Sequence, residues 1–191
     1  DGRNIVVAFG TETTPPDALT TGLKAGAQSG SYTLVSNNGA DIKIESSASG
    51  QISRTGLSAG TFTAGTAGVT TDNRANATSA ATATSLSGGD LVINGVAIRA
   101  SNSTDDTVSN TSVASSKKAA SGIAIAAAIN ASTADTGVTA TANAVKLQGK
   151  STTATAAADL SAELNLNGVA INISIKTGDK AEDVRANVIK Q

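Results

Sequence analysis

The feature that most constrains the fold of this chain is an internal duplication of a short apolar segment around an Asn-Gly pair. Residues 93–98 (INGVAI) recur 73 positions later as 166–171 (LNGVAI), and five of the six positions are identical. Asn-Gly supplies the positive φ angles that a tight turn between antiparallel strands requires. The duplication therefore predicts two similar strand–turn–strand units.

A helix is predicted after each copy. After the first copy, residues 117–131 (KKAASGIAIAAAINA) combine a high alanine content with three isoleucines, which favours a helix over a strand. After the second copy, residues 181–190 (AEDVRANVIK) place Val184 and Val188 four positions apart, on one face of a helix.

Two further segments have the composition of β-strands. Residues 31–46 (SYTLVSNNGADIKIES) predict a hairpin, because an Asn-Asn-Gly turn sequence separates two strand-like runs. The second of these runs alternates, with Ile42 and Ile44 on one face. The run at 3–10 (RNIVVAFG) predicts another strand, rich in β-branched residues.

These patterns predict an α+β, β-rich fold of two small domains with antiparallel strands and hairpins, the second with a short helix packed on a sheet. We expect an N-terminal β-rich domain at 1–75 and a domain containing the duplication at 90–191. A linker rich in Thr and Ala is expected within 69–89. We also expect segments 91–98 and 164–175 to pair in one antiparallel sheet.

The composition excludes most catalytic chemistry. The 191 residues include no His and no Cys, which excludes a Ser-His-Asp triad, a cysteine nucleophile, a zinc finger and haem ligation. Aromatic residues make up 2% of the chain, so Val, Ile and Leu must supply nearly all of the core. A net charge of −1 and a single basic pair, Lys117-Lys118, give no basis for binding nucleic acid or an anionic membrane. No stretch approaches the roughly 18 apolar residues of a membrane span.

Two sets of carboxylates are candidates for a metal or catalytic site. Asp90, Asp105 and Asp106 offer oxygen ligands for calcium, but the spacing of a calcium-binding loop is missing, so a solvated loop is favoured. A second set offers paired carboxylates for glycoside hydrolysis, but the chain has almost no aromatic platforms for sugars. This second set consists of Asp159, Glu163, Asp179, Glu182 and Asp183. We therefore predict no catalytic residue, no cofactor and no metal, and a protein that is not an enzyme.

The order of elements resembles the short "IN" motif of bacterial flagellins and flagellar hook-associated proteins. That order is strand, Asn-Gly turn and strand at 91–98, a helix ending in Ala-Ile-Asn at 126–130, and a Thr-Gly-Val-Thr-Ala strand at 136–140. Residues 164–175 resemble a partial second copy, and 31–46 also look like outer-domain flagellin sequence. Long heptad-like helices, which build the filament core in flagellins, are absent. The resemblance therefore implies the central, solvent-facing portion of a flagellin, as a fragment without its helical termini.

The resemblance implies a structural role in motility, as outer domains that form the surface of the bacterial flagellar filament. The chain would then be exported and extracellular, and its partners would be other flagellin subunits, reached through the helical termini. Flagellins of this kind often carry O-linked sugars. The Ser- and Thr-rich runs at 78–87 and 101–116 offer many acceptors.

Two alternatives remain open. Hook-associated and cap proteins of the flagellum share the same motif, so the chain would fit either. A β-rich domain with many Thr and Asn residues also fits a surface adhesin or a phage receptor that binds a glycan or a partner protein. In that case we expect Phe9, Tyr32 or Phe62 to be exposed beside polar residues.

Overall fold

The computed structural model describes residues 2–10, 23, 25–63, 68–71, 82–110, 117–147, 156 and 159–190. These residues form eleven strands in three antiparallel sheets and three short α-helices, which confirms the predicted β-rich α+β class. The strands are β1 (Ile5–Phe9), β2 (Gly26–Gln28), β3 (Tyr32–Ser36), β4 (Ile42–Glu45), β5 (Gly60–Phe62), β6 (Val69–Thr70), β7 (Val92–Ile93), β8 (Val96–Ala97), β9 (Val138–Ala142), β10 (Leu160–Leu166) and β11 (Val169–Ile175). The helices are α1 (Gly122–Asn130), α2 (Thr133–Thr136) and α3 (Ala181–Ile189), and 3-10 turns lie at Ile52–Arg54, Ser103–Asp105 and Lys118–Ala120.

The three sheets define two units. The outer unit consists of the outer sheet, in the order β11-β10-β1-β2, together with α3. The inner unit consists of the inner sheet, in the order β5-β4-β7-β8, the covering sheet, in the order β6-β3-β9, and α1 with α2. The strand pairing does not follow the expected division into 1–75 and 90–191. Each sheet joins strands from both sides, pairing β1 with β10, β3 with β9 and β4 with β7.

The stretch expected to be a linker, 69–89, contributes to the inner unit at both of its ends. Strand β6 belongs to the covering sheet, and the N–H of Thr71 donates to the carbonyl of Tyr32 over 3.0 Å. Ala83 and Leu86 are buried. The centre of the stretch, 72–81, lies outside the described residues.

The two copies of the duplication lie in different sheets, so the expectation that 91–98 pairs with 164–175 is wrong. Strands β7 and β8 form a hairpin in the inner sheet, and β10 and β11 form one in the outer sheet. The first strand of each hairpin pairs with its own second strand on one edge and with β4 or β1 on the other. Neither first strand therefore has an edge left for the other copy.

The strands within 31–46 form as predicted, but they do not form a hairpin. Strand β3 pairs with β6 and β9, whereas β4 pairs with β5 and β7. Leu34 and Ile44 are both fully buried in the same core, which they enter from the covering sheet and from the inner sheet. The Asn-Asn-Gly segment therefore connects two layers. Asn38 shapes this connection, since its Oδ1 accepts the N–H of Ala40 over 3.0 Å.

Aliphatic side chains supply most of both cores, as the composition predicts. The main core lies between the inner sheet, the covering sheet and α1, and also contains Tyr32, whose hydroxyl donates to the carbonyl of Thr55 over 2.9 Å. The second core lies between the outer sheet and α3. Its buried members are Val7, Leu164, Ile173, Ile175 and Val184.

The two units meet where three glycines come together. Gly2 precedes β1, Gly30 follows β2, and Gly122 begins α1. The N–H of Gly122 donates to the carbonyl of Gly2 over 2.8 Å, and the N–H of Gly2 donates to the carbonyl of Asn143 over 2.6 Å. The N–H of Gly30 donates to Oδ1 of the buried Asn4 over 2.7 Å. We call this contact the glycine junction.

Candidate functional site

The duplicated Asn-Gly pairs form two turns of the same geometry. Asn94 and Gly95 have φ angles of 50° and 84°, and Asn167 and Gly168 have φ angles of 50° and 79°. Positive φ at both central positions matches the right-handed twist of a two-residue hairpin. Among the described residues, these two asparagines alone have a positive φ without being glycine. The sequence prediction of two strand–turn–strand units is therefore confirmed.

Each turn asparagine also hydrogen-bonds a third strand. The backbone N–H of Asn94 donates to the carbonyl of Lys43 over 2.9 Å, and its Oδ1 accepts the N–H of Lys43 over 2.8 Å. Asn167 makes the same pair of bonds with Val6, over 2.9 and 2.8 Å. In both copies the side-chain oxygen takes the place of a backbone carbonyl in the antiparallel ladder.

The structural duplication is larger than the six-residue sequence repeat. In the inner sheet, Ile44 of β4 pairs with Gly60 on one side and Ile93 on the other. In the outer sheet, Val7 of β1 pairs with Gly26 and with Leu166 in the same register. The outer and inner sheets therefore share strand order and register across all four strands.

The sequence pattern did not reveal this match because each sheet has a second face, which points away from its core, and these second faces have different environments. At matching positions the inner sheet has the exposed Lys43 and Thr61, and the outer sheet has Val6 and Ala27, which form a small buried cluster. The alternating pattern of β4 and the continuous apolar run of β1 therefore conceal a common register.

Asn130, the last residue of α1, hydrogen-bonds β9, the strand that follows the helix in the motif. At the end of α1, Oδ1 of Asn130 accepts the N–H of Ala140 over 2.7 Å, and its Nδ2 donates to the carbonyl of Ala140 over 2.9 Å. Thr133 donates its hydroxyl to the carbonyl of Val138 over 3.0 Å, and Thr136 accepts the N–H of Val138 over 3.2 Å. Side chains at the end of α1 and in α2 thus hydrogen-bond the outer edge of β9, which protects that edge from pairing with other chains.

The first set of candidate carboxylates is held by separate structural contacts. Asp105 forms a two-point ion pair with Arg99, at 2.8 and 2.9 Å, and this bond lowers the pKa of Asp105. Burial raises the pKa of Asp90, but hydrogen bonds from the N–H groups of Gln51 and Ser87 and from Arg54 outweigh it and lower the pKa overall. Among the described residues, no group of three acidic side chains is arranged to hold a metal ion.

Asp106 departs from the expectation of a solvated loop, because it is buried together with Ser101 and Ser109. Burial disfavours its charge, but the hydroxyl and N–H of Ser109, the hydroxyl of Ser121 and the N–H of Val108 lower its pKa overall. Ser121 also caps α1, since its Oγ accepts the N–H of Ala124 over 3.1 Å. Asp106 therefore connects the loop to the start of the helix.

The second set of carboxylates does not converge on a cleft. Asp159 is exposed and binds Nζ of Lys176 at 3.0 Å, and hydrogen bonds from Thr177 and Lys176 lower its pKa to about 2. Glu163 accepts Nδ2 of Asn165 over 2.7 Å, and Asp179 accepts the N–H of Lys176 over 2.8 Å. Both remaining carboxylates, Glu182 and Asp183, are exposed in the first turn of α3, where negative charge is favourable.

The aromatic side chains do not share one surface. Tyr32 is fully buried in the main core. Phe62 is half-buried against the same core, and Phe9 is half-buried against the second core. Exposed Ser and Thr side chains within the described parts of 78–87 and 101–116 are Thr82, Thr84, Ser87, Ser103, Thr104 and Thr107.

The lowered pKa values predict that the fold loses stability in acid. Asp90, Asp105 and Asp106 have lower pKa values in the folded chain than the ordinary 3.8, so the folded state binds fewer protons than the unfolded state. Their contribution to the free energy of unfolding is complete above the ordinary pKa and is lost as the pH falls through the lowered pKa values. We expect the free energy of unfolding in urea to fall below about pH 4.

The variant Asp106→Asn tests this prediction. It leaves buried donors poorly paired, so we expect the free energy of unfolding to be about 1–3 kcal/mol lower at neutral pH. We also expect this free energy to decline less steeply between about pH 4 and pH 2. Asp135→Asn changes an exposed carboxylate of α2 and is the matched control. An acid profile of Asp106→Asn as steep as that of the unmodified chain would contradict the role given to Asp106.

No protein-family model, curated protein or solved structure matched the chain. None of the helices within the described residues is long and apolar enough to cross a membrane.

Proposed function

We propose that the chain is the outer portion of a bacterial flagellin, a structural component of the flagellar filament. It projects from the filament, forms its surface and supports motility. It is exported, extracellular and not an enzyme, and its partners are other flagellin subunits, contacted through helical termini outside residues 1–191. The sequence resemblance to the "IN" motif carries this proposal.

The hydrogen bonds of the motif asparagines support the proposal, because they give each motif position a physical role. Asn94 and Asn167 join a hairpin to a third strand, and Asn130 hydrogen-bonds the edge of β9. A subunit that stands beside many identical copies needs strand edges that do not pair with its neighbours. Side chains that occupy backbone groups at an edge meet that need.

The separation of the carboxylates also favours a structural role over catalysis. The bound carboxylates of the two candidate sets are held in separate structural contacts, as Asp90 and Asp105 illustrate. The exposed hydroxyls at Ser103, Thr104 and Thr107 extend the proposal to O-linked sugars on the filament surface.

An antibody against the purified chain tests the proposal by immunogold electron microscopy of producing cells. We expect gold particles along the whole length of the flagellar filaments, because every subunit would present these residues on the outside. Antibody absorbed with the purified chain is the control and should leave the filaments unlabelled. Labelling confined to the hook junction or the tip would instead assign the chain to a hook-associated or cap protein. Labelling of the cell envelope would support the adhesin.

A further inference from the structure

The outer sheet buries its apolar side chains less completely than the inner sheet does at matching positions. Because the two sheets share register, Ile5 matches Ile42 and Leu166 matches Ile93. The duplicated segments in turn match Ile171 with Ile98. All three isoleucines of the inner sheet are at most 5% exposed, whereas their three counterparts in the outer sheet are half-buried.

The helices show the same difference. Helix α1 places Ile125 and Ile129 four positions apart, and both are fully buried in the main core. Helix α3 places Val184 and Val188 four positions apart, but only Val184 is buried.

Although Leu23, Leu147 and Ala156 also pack against the second core, these side chains stay incompletely covered. We call the surface that they form the outer apolar face. It includes Val169, which is 58% exposed and points to the same side of β11 as Ile171, two residues further on. The members of the outer apolar face are Ile5, Leu166, Val169, Ile171 and Val188.

The inner unit shows what covers the corresponding surface there. Leu34 of β3 and Val138 and Ala140 of β9 lie in the main core with the apolar side chains of the inner sheet and α1. Seven residues connect α1 to β9, and five connect β3 to β4. In the outer unit, α3 matches α1 and β1 matches β4. Strands equivalent to β9 and β3 would therefore follow α3 and precede β1.

We propose that polypeptide flanking residues 1–191 supplies two antiparallel strands that cover the outer apolar face. The strands are of the β3 and β9 type, with small or branched apolar residues facing the outer sheet and Thr facing solvent, as Val138 and Ala140 alternate with Thr139 and Thr141 in β9. The inference rests on the match between the two units and does not depend on the flagellar proposal.

Residues 1–191 contain no cysteine, so an introduced cysteine is their only thiol, and any cysteine in the flanking polypeptide is replaced with serine. Ile171→Cys reports on the outer apolar face, since Ile171 is half-buried and its counterpart Ile98 is 1% exposed. Val35→Cys is the matched control, since Val35 is 45% exposed on the covering sheet. Each variant is prepared both as residues 1–191 and as the full natural polypeptide, and its rate of reaction with a maleimide is measured.

We expect Ile171→Cys to react readily in residues 1–191 and at least about tenfold more slowly in the natural polypeptide, where the reaction requires local opening of the covering strands. Val35→Cys should react at the same rate in both. Equal rates for Ile171→Cys in the two proteins would overturn the proposal. Protection that already exists in residues 1–191 and rises with protein concentration would overturn it too, because a second copy would then be the occupant. A natural polypeptide without residues beyond 1–191 would also overturn it.

Discussion

Replacing Gly30 with alanine is expected to lower the free energy of unfolding by roughly 3 kcal/mol, since the site is overpacked and hydrogen bonds are lost. A Cβ atom at this position would overlap the carbonyl oxygen of Gly2 and lie 2.7 Å from its carbonyl carbon and 2.9 Å from the nitrogen of Gly122. All three are backbone atoms, so no side-chain rotation relieves the overlap. Moving Gly2 away would strain its hydrogen bonds to Gly122 and Asn143, which join the two units.

Gly88→Ala is the matched control for this substitution. Gly88 is exposed, a Cβ atom there would meet nothing within 4 Å, and its φ angle is not in the left-handed region. We expect a change within about 0.5 kcal/mol in urea unfolding followed by far-UV circular dichroism. Equal unfolding midpoints for Gly30→Ala and Gly88→Ala would show that the glycine junction has room for a side chain.

Features of the fold that depend on neighbouring residues were predictable from the sequence. The two Asn-Gly hairpins follow from the conformational freedom of Asn and Gly, and the helix within 117–131 follows from its alanine content. The strand within 3–10 likewise forms as β1. In each of these cases the deciding interaction lies within about 10 residues, which is the range that a local pattern describes.

Features that depend on distant pairing were not predictable. Segment 31–46 satisfies the local rule for a hairpin, but its two strands face each other across the main core because β9 and β7 compete successfully for their edges. The shared register of the outer and inner sheets is likewise a property of strands far apart in sequence. A composition pattern contains no information on which edge a strand will use.

The carboxylates illustrate the same limit at the candidate site. Their sequence spacing argued against a calcium loop, but it did not reveal that Asp106 is buried beside Ser109 and Ser121. Asp106 and Ser121 lie too far apart in the sequence for a local pattern to predict that they are in contact. Polar residues in a Ser- and Thr-rich loop have the same composition whether they face water or each other.

Replacing Asn94 with alanine is expected to destabilise the inner unit by roughly 2–4 kcal/mol, because the left-handed conformation is costly for alanine and hydrogen bonds are lost. The lost bonds join Oδ1 to the N–H of Lys43 at 2.8 Å and Nδ2 to the carbonyl of Thr136 at 2.8 Å. Asn94→Gly keeps the positive φ angle and removes only the bonds. We therefore expect it to recover about 1 kcal/mol of the loss.

The matching variant Asn167→Ala separates the two units, because the chain contains one tyrosine and no tryptophan. Tyr32 is fully buried in the main core, so its fluorescence reports on the inner unit, whereas far-UV circular dichroism reports on all strands. Asn94→Ala should lower the urea midpoint of the tyrosine signal. Asn167→Ala loses its bond to Val6 in the outer unit. It should therefore lower the urea midpoint of only part of the change in dichroism. An equal shift of the tyrosine midpoint in both variants would mean that the two matching sheets unfold as one, with the glycine junction coupling them fully.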